Sequence, residues 1–249
     1  MNYRIKQLSI DIFNAAVDAV CPPACPMCGE PLGFANGKRL KICERCRFAI
    51  TYLTEPLCLK CGKRIENGQE EYCADCAKHK HYYDRCVAVY EYSDVIKNAI
   101  YRFKYYNKRE YAKTFATEIQ ERCKDMIALW QPDVIIPVPI SDKKFRKRGY
   151  NQAELIAGEL SELTGIMLDS KALLRIRDTK PMKELSNEER MKNLKNAFIS
   201  SKNVVKYRKV LIVDDIYTTG ATFDECSRTL KENGVLEVYG ISLCIGAGF

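Results

Sequence analysis

Eight of the thirteen cysteines fall into four Cys-x-x-Cys pairs, and the first and third pairs are each followed by a glycine. The segment is therefore a twofold repeat, in which Cys-x-x-Cys-Gly is followed by a short connection and a second Cys-x-x-Cys. This spacing is typical of a closed tetrahedral zinc site. A disulfide framework is the alternative, and it is disfavoured because we expect no secretory segment ahead of the pairs. The predicted zinc ligands are Cys25, Cys28, Cys43, Cys46, Cys58, Cys61, Cys73 and Cys76.

The repeat favours sequential ligation, with the first two pairs on one ion and the last two on another. A cross-braced arrangement, in which the first pair joins the third, stays open. Cys21, His79 and His81 lie close enough along the chain to act as substitute ligands. The other cysteines interrupt apolar helix or strand patterns and are predicted to be small core residues. They are Cys86, Cys123, Cys226 and Cys244.

A second motif, near the end of the chain, joins a strand to a helix that is predicted near Ala221 to Glu232. Four apolar residues, Val210 to Val213, precede two acids and a Thr-Thr-Gly turn. Main-chain amides at a helix N-terminus bind phosphate, and a glycine lets the anion approach them. The acids would repel that phosphate, so we expect them to hold a sugar's vicinal hydroxyls or a divalent cation. An ordinary capped turn is the alternative. The predicted ribose 5-phosphate site comprises Asp214, Asp215, Thr218, Thr219, Gly220, Ala221 and Thr222.

A third segment, predicted as the loop that follows Val138, places five cations in six positions. Such a cluster can neutralise a diphosphate or a nucleic-acid backbone, and the net charge of +8 favours polyanionic partners in the same way. A solvated basic loop is the alternative. Phe145 and Tyr150 lie among the charges, where they suit either base stacking or burial. The predicted anion-binding residues are Lys143, Lys144, Arg146 and Arg148.

Three regions are predicted to position these residues. Residues 1–20 show the apolar spacing of an amphipathic helix, and residues 21–83 carry too few large aliphatic side chains to fold without metal. Residues 84–249 alternate strand and helix patterns, which predicts an α/β fold with an open parallel sheet. Ligands of such sheets bind at the carboxyl ends of the strands. Because no apolar run is long enough to span a bilayer, we expect a soluble, cytoplasmic protein.

The run Val-Asp-Asp-Ile-Tyr-Thr-Thr-Gly-Ala-Thr, from Val213 to Thr222, resembles the phosphoribosyl pyrophosphate motif of type I phosphoribosyltransferases. With the cysteine repeats ahead of it, nearly the whole chain resembles the ComF family. Four further stretches match that family: Tyr101–Tyr105, Pro137–Pro139, Arg148–Ala153 and Arg175–Thr179.

The resemblance implies an open parallel sheet of the type I phosphoribosyltransferase kind, with an N-terminal cysteine-rich zinc-binding module. Phosphoribosyl pyrophosphate or ribose 5-phosphate would be the ligand, Mg²⁺ would accompany the pyrophosphate, and two zinc ions would be structural. In phosphoribosyltransferases a mobile loop closes over the substrate, and it corresponds here to Arg177, Thr179 and Lys180. Met182 stands where many relatives carry glutamine.

The resemblance also implies a role in natural transformation, with single-stranded DNA and a helicase as partners. The protein would act in the cytoplasm or peripherally at the inner face of the membrane. The alternative is an active Mg²⁺-dependent phosphoribosyltransferase that transfers phosphoribosyl to an unidentified amine or base. A complete glutamine amidotransferase is disfavoured, since no amino-terminal nucleophilic cysteine is present.

Overall fold

The computed structural model describes residues 22–66, 68–177 and 193–246. The helix predicted over residues 1–20 lies outside these ranges, as do Cys21, Thr179, Lys180 and Met182. The boundaries at residues 21 and 84 stay predictions.

Five parallel strands form the central sheet, in the order β3-β9-β8-β4-β5. Two short antiparallel ribbons, β1-β2 and β6-β7, lie outside it. The strands are β1 Phe34–Ala35, β2 Lys38–Arg39, β3 Arg85–Glu91, β4 Val134–Pro137, β5 Met167–Leu168, β6 Leu173–Arg175, β7 Phe198–Ser200, β8 Lys209–Tyr217 and β9 Glu237–Ile245. The helices are α1 Glu44–Ala49, α2 Ala74–Lys78, α3 Asp94–Tyr105, α4 Tyr111–Trp130, α5 Asp142–Arg148, α6 Gln152–Thr164 and α7 Ala221–Glu232, with a 3₁₀ helix at Lys202–Lys206.

Strand β8 runs through the middle of the sheet, between β9 and β4. Its residues Val210 to Val213 are fully buried, as a strand covered by helices on both faces requires. Helices α3, α4 and α6 supply most of the helical residues in the core on one face, and α7 packs on the other. The open parallel α/β sheet predicted from the sequence is therefore confirmed.

Strand β8 extends further than the sequence predicted. The apolar run ends at Val213, but pairing with β9 continues as far as Tyr217 opposite Ile245. Asp214 and Asp215 consequently lie inside a hydrogen-bonded strand and not in the loop after it. The extension arises because β9 is itself long and apolar and continues the ladder.

The basic segment after Val138 is a helix, and its prediction as a loop was wrong. Helix α5 follows Ser141 and ends at Gly149, which adopts a left-handed φ of +81°. Its last turn is Arg146, Lys147 and Arg148, and cations at that end interact favourably with the helix dipole. The cations therefore surround one helix, and they do not all face the same side.

The cysteine-rich module covers the edge strand β3. Residues of its first half join the apolar core with Val87 and Val89, and residues of its second half join the opposite core with Cys86. The connection between the halves pairs with the outer edge of β3, where Leu53 N–H donates to the Val89 carbonyl over 3.1 Å. The two halves thus lie on opposite sides of one strand.

The longest helix of the described residues is α4, with 20 residues. It carries charged side chains along its length, including a buried glutamate, Glu118. No helix in the described ranges is long and apolar enough to cross a membrane.

Candidate functional site

The eight paired cysteines form two separate clusters of thiols. Within each cluster all sulfur atoms lie within 4.8 Å of one another. The Sγ atoms of Cys28 and Cys43 are 3.7 Å apart, and those of Cys61 and Cys73 are 3.6 Å apart. A tetrahedron with sulfurs 2.3 Å from zinc has edges of about 3.8 Å. The grouping is sequential, and the members are Cys25, Cys28, Cys43 and Cys46 in one cluster and Cys58, Cys61, Cys73 and Cys76 in the other.

Each cluster begins with the same tight turn, which we call its zinc knuckle. Gly29 and Gly62 have φ values of +86° and +76°, which glycine adopts without strain. Their N–H groups donate to the carbonyls of Cys25 and Cys58 over 2.8 and 2.9 Å. The N–H of Cys43 points at Cys25 Sγ over 3.4 Å, an orienting contact typical of metal ligands.

The histidines belong to neither thiol cluster. His79 Nδ1 lies 3.2 Å from the Asp75 carbonyl oxygen. His81 stacks on Tyr83 at 4.8 Å between ring centroids, and its Nδ1 is 3.5 Å from Asp224 Oδ1. In the described part of the chain, four cysteines complete each site without them. The remaining cysteines of the described ranges are free and buried, as predicted: Cys86, Cys123, Cys226 and Cys244.

The first thiol cluster is fixed to helices α3 and α4. Arg102 Nη1 donates to the Met27 carbonyl over 2.7 Å, beside the Gly29 turn. Just past the cluster, Tyr52 donates to the buried carboxylate of Glu118 over 2.9 Å.

The second thiol cluster is fixed to strand β3. The N–H of Cys86 donates to the Lys60 carbonyl over 2.7 Å. A Cβ at Gly62 would lie 2.9 Å from the Cys86 carbonyl oxygen, closer than carbon and oxygen tolerate. Only glycine fits here, both for its left-handed φ and for this approach of the knuckle to the sheet.

The paired acids of β8 have different surroundings. Asp215 is almost fully buried and forms an ion pair with Lys104 of α3. Asp214 Oδ1 accepts a hydrogen bond from the Asp215 N–H over 2.8 Å. Burial, followed by the neighbouring charge of Asp215, raises the pKa of Asp214 to about 8. At neutral pH Asp214 is therefore mostly protonated and can donate a hydrogen bond.

Cations from three elements lie near Lys144 of α5, and the Asp214 carboxyl is one of its neighbours. The pKa of Lys144 on α5 is lowered, first by partial burial of its ammonium group and then by the charges of Arg175, Lys104 and Arg148. Asp214 acts on it in the opposite direction. We call Lys104, Lys144, Arg148 and Arg175 the cation cluster. It lies at the carboxyl ends of the strands, where α/β sheets bind ligands.

The cation cluster only partly coincides with the predicted anion-binding set. Lys144 and Arg148 belong to it, whereas Lys143 and Arg146 do not; Lys144 is exposed on α5 like those two residues, and Arg148 is half-buried. Lys104 and Arg175 were missed as site residues, although both occur in stretches that matched the family. Arg177 is exposed and donates to the Lys195 carbonyl over 3.3 Å, while Thr179 and Lys180 lie outside the described ranges.

The Thr-Gly turn precedes helix α7. Gly220 has a φ of +78°, and a Cβ there would overlap the hydroxyl of Tyr217. The Thr219 Oγ1 atom is buried and has no hydrogen-bond partner within the described residues. Thr218 and Thr222 are half-buried on either side, and Ala221 begins the helix. The helix N-terminus and an unused hydroxyl donor suit an anionic oxygen.

Residues 16–77 match the double zinc ribbon domain family, which supports two structural zinc sites. Competence protein F of Haemophilus influenzae is 33% identical over 208 residues, covering 81% of this chain and 90% of that protein. The chain belongs to the ComF family. The DNA utilization protein YhgH of Escherichia coli is 30% identical to this ComF chain over 226 residues, or 90% of the chain and 97% of that protein.

This ComF chain is also similar to part of a solved structure, the glutamine phosphoribosylpyrophosphate amidotransferase from B. subtilis complexed with ADP and GMP. It aligns with 56% of the chain at 18% identity and a TM-score of 0.38. The aligned part is 30% of that enzyme's chain.

Proposed function

We propose that this ComF protein serves DNA uptake in natural transformation, where it handles incoming single-stranded DNA in the cytoplasm together with a helicase. The names of its relatives, a competence protein and a DNA utilization protein, support this role. The structural observation that carries it is the basic helix α5 beside the cation cluster. Lys143, Arg146 and Lys147 form no ion pair within the described ranges, so they are available to phosphates.

We further propose that the Thr-Gly turn binds the 5-phosphate of a phosphoribosyl ligand. The turn supplies the main-chain donors of the α7 N-terminus, and Thr219 contributes the hydroxyl that has no partner in the protein. Asp214 and Asp215 would hold the ribose hydroxyls. Asp214, being protonated, can donate to a hydroxyl oxygen as well as accept from it.

We propose that Mg²⁺ binds to this site only together with the diphosphate of a bound ligand. The thiol clusters are the only groups of three or more potential ligands in the described ranges, so the β8 acids do not form a cation cage of their own. Lys104 already neutralises Asp215. Mg²⁺ commonly binds through substrate phosphates plus one or two carboxylates, which fits this edge of the sheet.

Two titrations of the zinc-loaded protein test the proposal. One uses labelled single-stranded DNA at two salt concentrations, and the other uses phosphoribosyl pyrophosphate with and without Mg²⁺. We expect DNA affinity to fall steeply with salt, because phosphate contacts release counterions. Failure to bind single-stranded DNA at low salt would overturn the DNA-handling role.

The Thr219→Val substitution tests the phosphate site. It should weaken phosphoribosyl pyrophosphate binding without lowering stability, since the lost hydroxyl has no partner in the ligand-free protein. Thr229→Val, on the helix α7 that follows the turn, is the matched control. Its hydroxyl donates to the Glu225 carbonyl over 2.9 Å, so its loss should affect stability and leave binding unchanged. The opposite pattern in the two variants would show that the turn does not hold the ligand.

The second candidate function is an active Mg²⁺-dependent phosphoribosyltransferase. It is favoured by the cation cluster, because Lys144 and Arg148 could neutralise a departing pyrophosphate. Its test is Mg²⁺-dependent release of pyrophosphate in the presence of nucleobases or amines. Release that disappears in Lys144→Ala would establish it.

A further inference from the structure

Three tyrosines at the end of helix α3 form an exposed aromatic group. Tyr101, Tyr105 and Tyr106 are 50%, 53% and 62% exposed. The ring centroids of Tyr101 and Tyr105 are 4.8 Å apart, and those of Tyr101 and Tyr106 are 5.9 Å apart. Tyr101 and Tyr105 are one turn apart, so their rings cover the same side of the helix. We call these three residues the tyrosine face.

The tyrosine face is continuous with the basic helix α5. The guanidinium carbon of Arg148 lies 5.4 Å from the centre of the Tyr105 ring, a cation–π distance. Phe145, one turn earlier on α5, is 48% exposed. Lys108, just past Tyr106, pairs over 3.4 Å with Glu110, an exposed pair that is screened by solvent. Aromatic rings and cations therefore share one surface.

This combination matches the chemistry of single-stranded nucleic acid. Unpaired bases stack on exposed aromatic rings, while the backbone follows a positively charged surface. A duplex keeps the faces of its bases stacked on one another, so it has none to stack on such rings. A protein partner would cover the rings without requiring the cations.

We propose that the tyrosine face is a stacking platform for the bases of single-stranded DNA, while α5 contacts the phosphates. The proposal rests on the DNA-handling role proposed above and assigns it a surface. It separates the two contributions, stacking by Tyr101 and Tyr105 and charge neutralisation by Lys147 and its neighbours.

The experiment compares the zinc-loaded wild type with Tyr101→Ala/Tyr105→Ala, the control Tyr101→Phe/Tyr105→Phe, and Lys147→Ala. Binding of fluorescein-labelled oligothymidylate is followed by anisotropy over a range of salt, and circular dichroism verifies the fold. The alanine pair should lose about tenfold or more in affinity with an unchanged salt slope, because stacking involves no counterion release. The phenylalanine pair keeps the rings and should bind as wild type. Lys147→Ala should reduce the slope by about 0.7, the value for one single-strand phosphate contact.

An abasic oligonucleotide of the same length gives the second readout. It should bind wild type and the alanine pair equally, since it offers no bases to stack. If wild type binds oligothymidylate and the alanine pair binds equally well, the platform is refuted while the DNA role stands. If wild type binds no single-stranded DNA, the proposed function itself fails.

Discussion

The hydroxyl oxygens of Tyr83 and Tyr217 lie 2.7 Å apart in the protein interior. Tyr217 is the last residue of β8, and the close approach of its hydroxyl to Gly220 leaves no room for a side chain there. Tyr83 lies just past the second thiol cluster, with the Lys60 ammonium 5.4 Å from its ring centre. The contact connects the second zinc ribbon directly to the Thr-Gly turn.

We predict that this hydroxyl pair shows strong coupling in a double-mutant cycle. Tyr83→Phe and Tyr217→Phe should each lower the free energy of unfolding by about 1–3 kcal/mol, because each leaves the other hydroxyl buried without its partner. The double variant should be nearly as stable as wild type, since both polar groups are then gone. Urea unfolding of the four proteins measures the coupling. Additive losses would contradict the prediction.

The glycine of the second zinc knuckle should be less replaceable than a glycine that needs only its φ. Gly37→Ala, at a φ of +72° with open space around it, should cost about 1–2 kcal/mol of stability from backbone strain alone. Gly62→Ala has a similar φ and also meets the Cys86 carbonyl, so it should cost more. Thermal unfolding compares them. Equal losses would mean that the knuckle does not pack on β3 as described.

Zinc content should reflect the sequential grouping. We expect two zinc ions per chain, and one ion in the double variant Cys28→Ser/Cys43→Ser because both thiols belong to the first cluster. Cys73→Ser should likewise retain one ion. Release of zinc after mercurial treatment, detected with a metallochromic dye, counts the ions. A cross-braced arrangement would place Cys28 and Cys43 on different ions, so the double variant would then retain no zinc.

The raised pKa of Asp214 predicts how stability depends on pH. Between the ordinary pKa of 3.8 and about 8, the unfolded chain has released this proton and the folded chain retains it. Stability from this group is therefore lost as pH rises, at about 1.4 kcal/mol per pH unit, and the loss levels off above pH 8. Asp214→Asn lacks this dependence. Urea unfolding of both proteins from pH 6 to 7.5 should show that the free energy of unfolding of the variant rises relative to that of wild type as pH rises. A constant difference between the two would refute the raised pKa.

Local patterns predicted most of the fold. Helix α7 spans Ala221–Glu232 as predicted, because its apolar spacing is clear and Gly220 marks its start. Helix α5 was missed, since its seven residues are nearly all charged and show no apolar period. The end of β8 was misjudged because its last residues are held by pairing with β9, which no local pattern reports.

The types of residue in the site were predicted from the sequence, but their arrangement was predicted less well. The density of charge in the sequence predicted that the α5 segment binds anions, but Lys143 and Arg146 face solvent outside the cation cluster. The cluster instead includes Lys104 and Arg175, which come from elements distant in the sequence. The ion pair of Asp215 with Lys104 also required the fold, since nothing near Lys104 in the sequence indicates a buried carboxylate. The tyrosine face depends on how α3 and α5 pack together, which charge and spacing do not report.

The chain that covers the outer edge of β3 lies between Cys46 and Cys58, so a metal ligand anchors it at each end. An uncovered strand edge is a template on which other chains pair and aggregate. Loss of zinc would therefore do more than inactivate this protein. The apoprotein would expose the edge of β3, aggregate and be degraded. Its abundance in a cell would then follow the zinc supply.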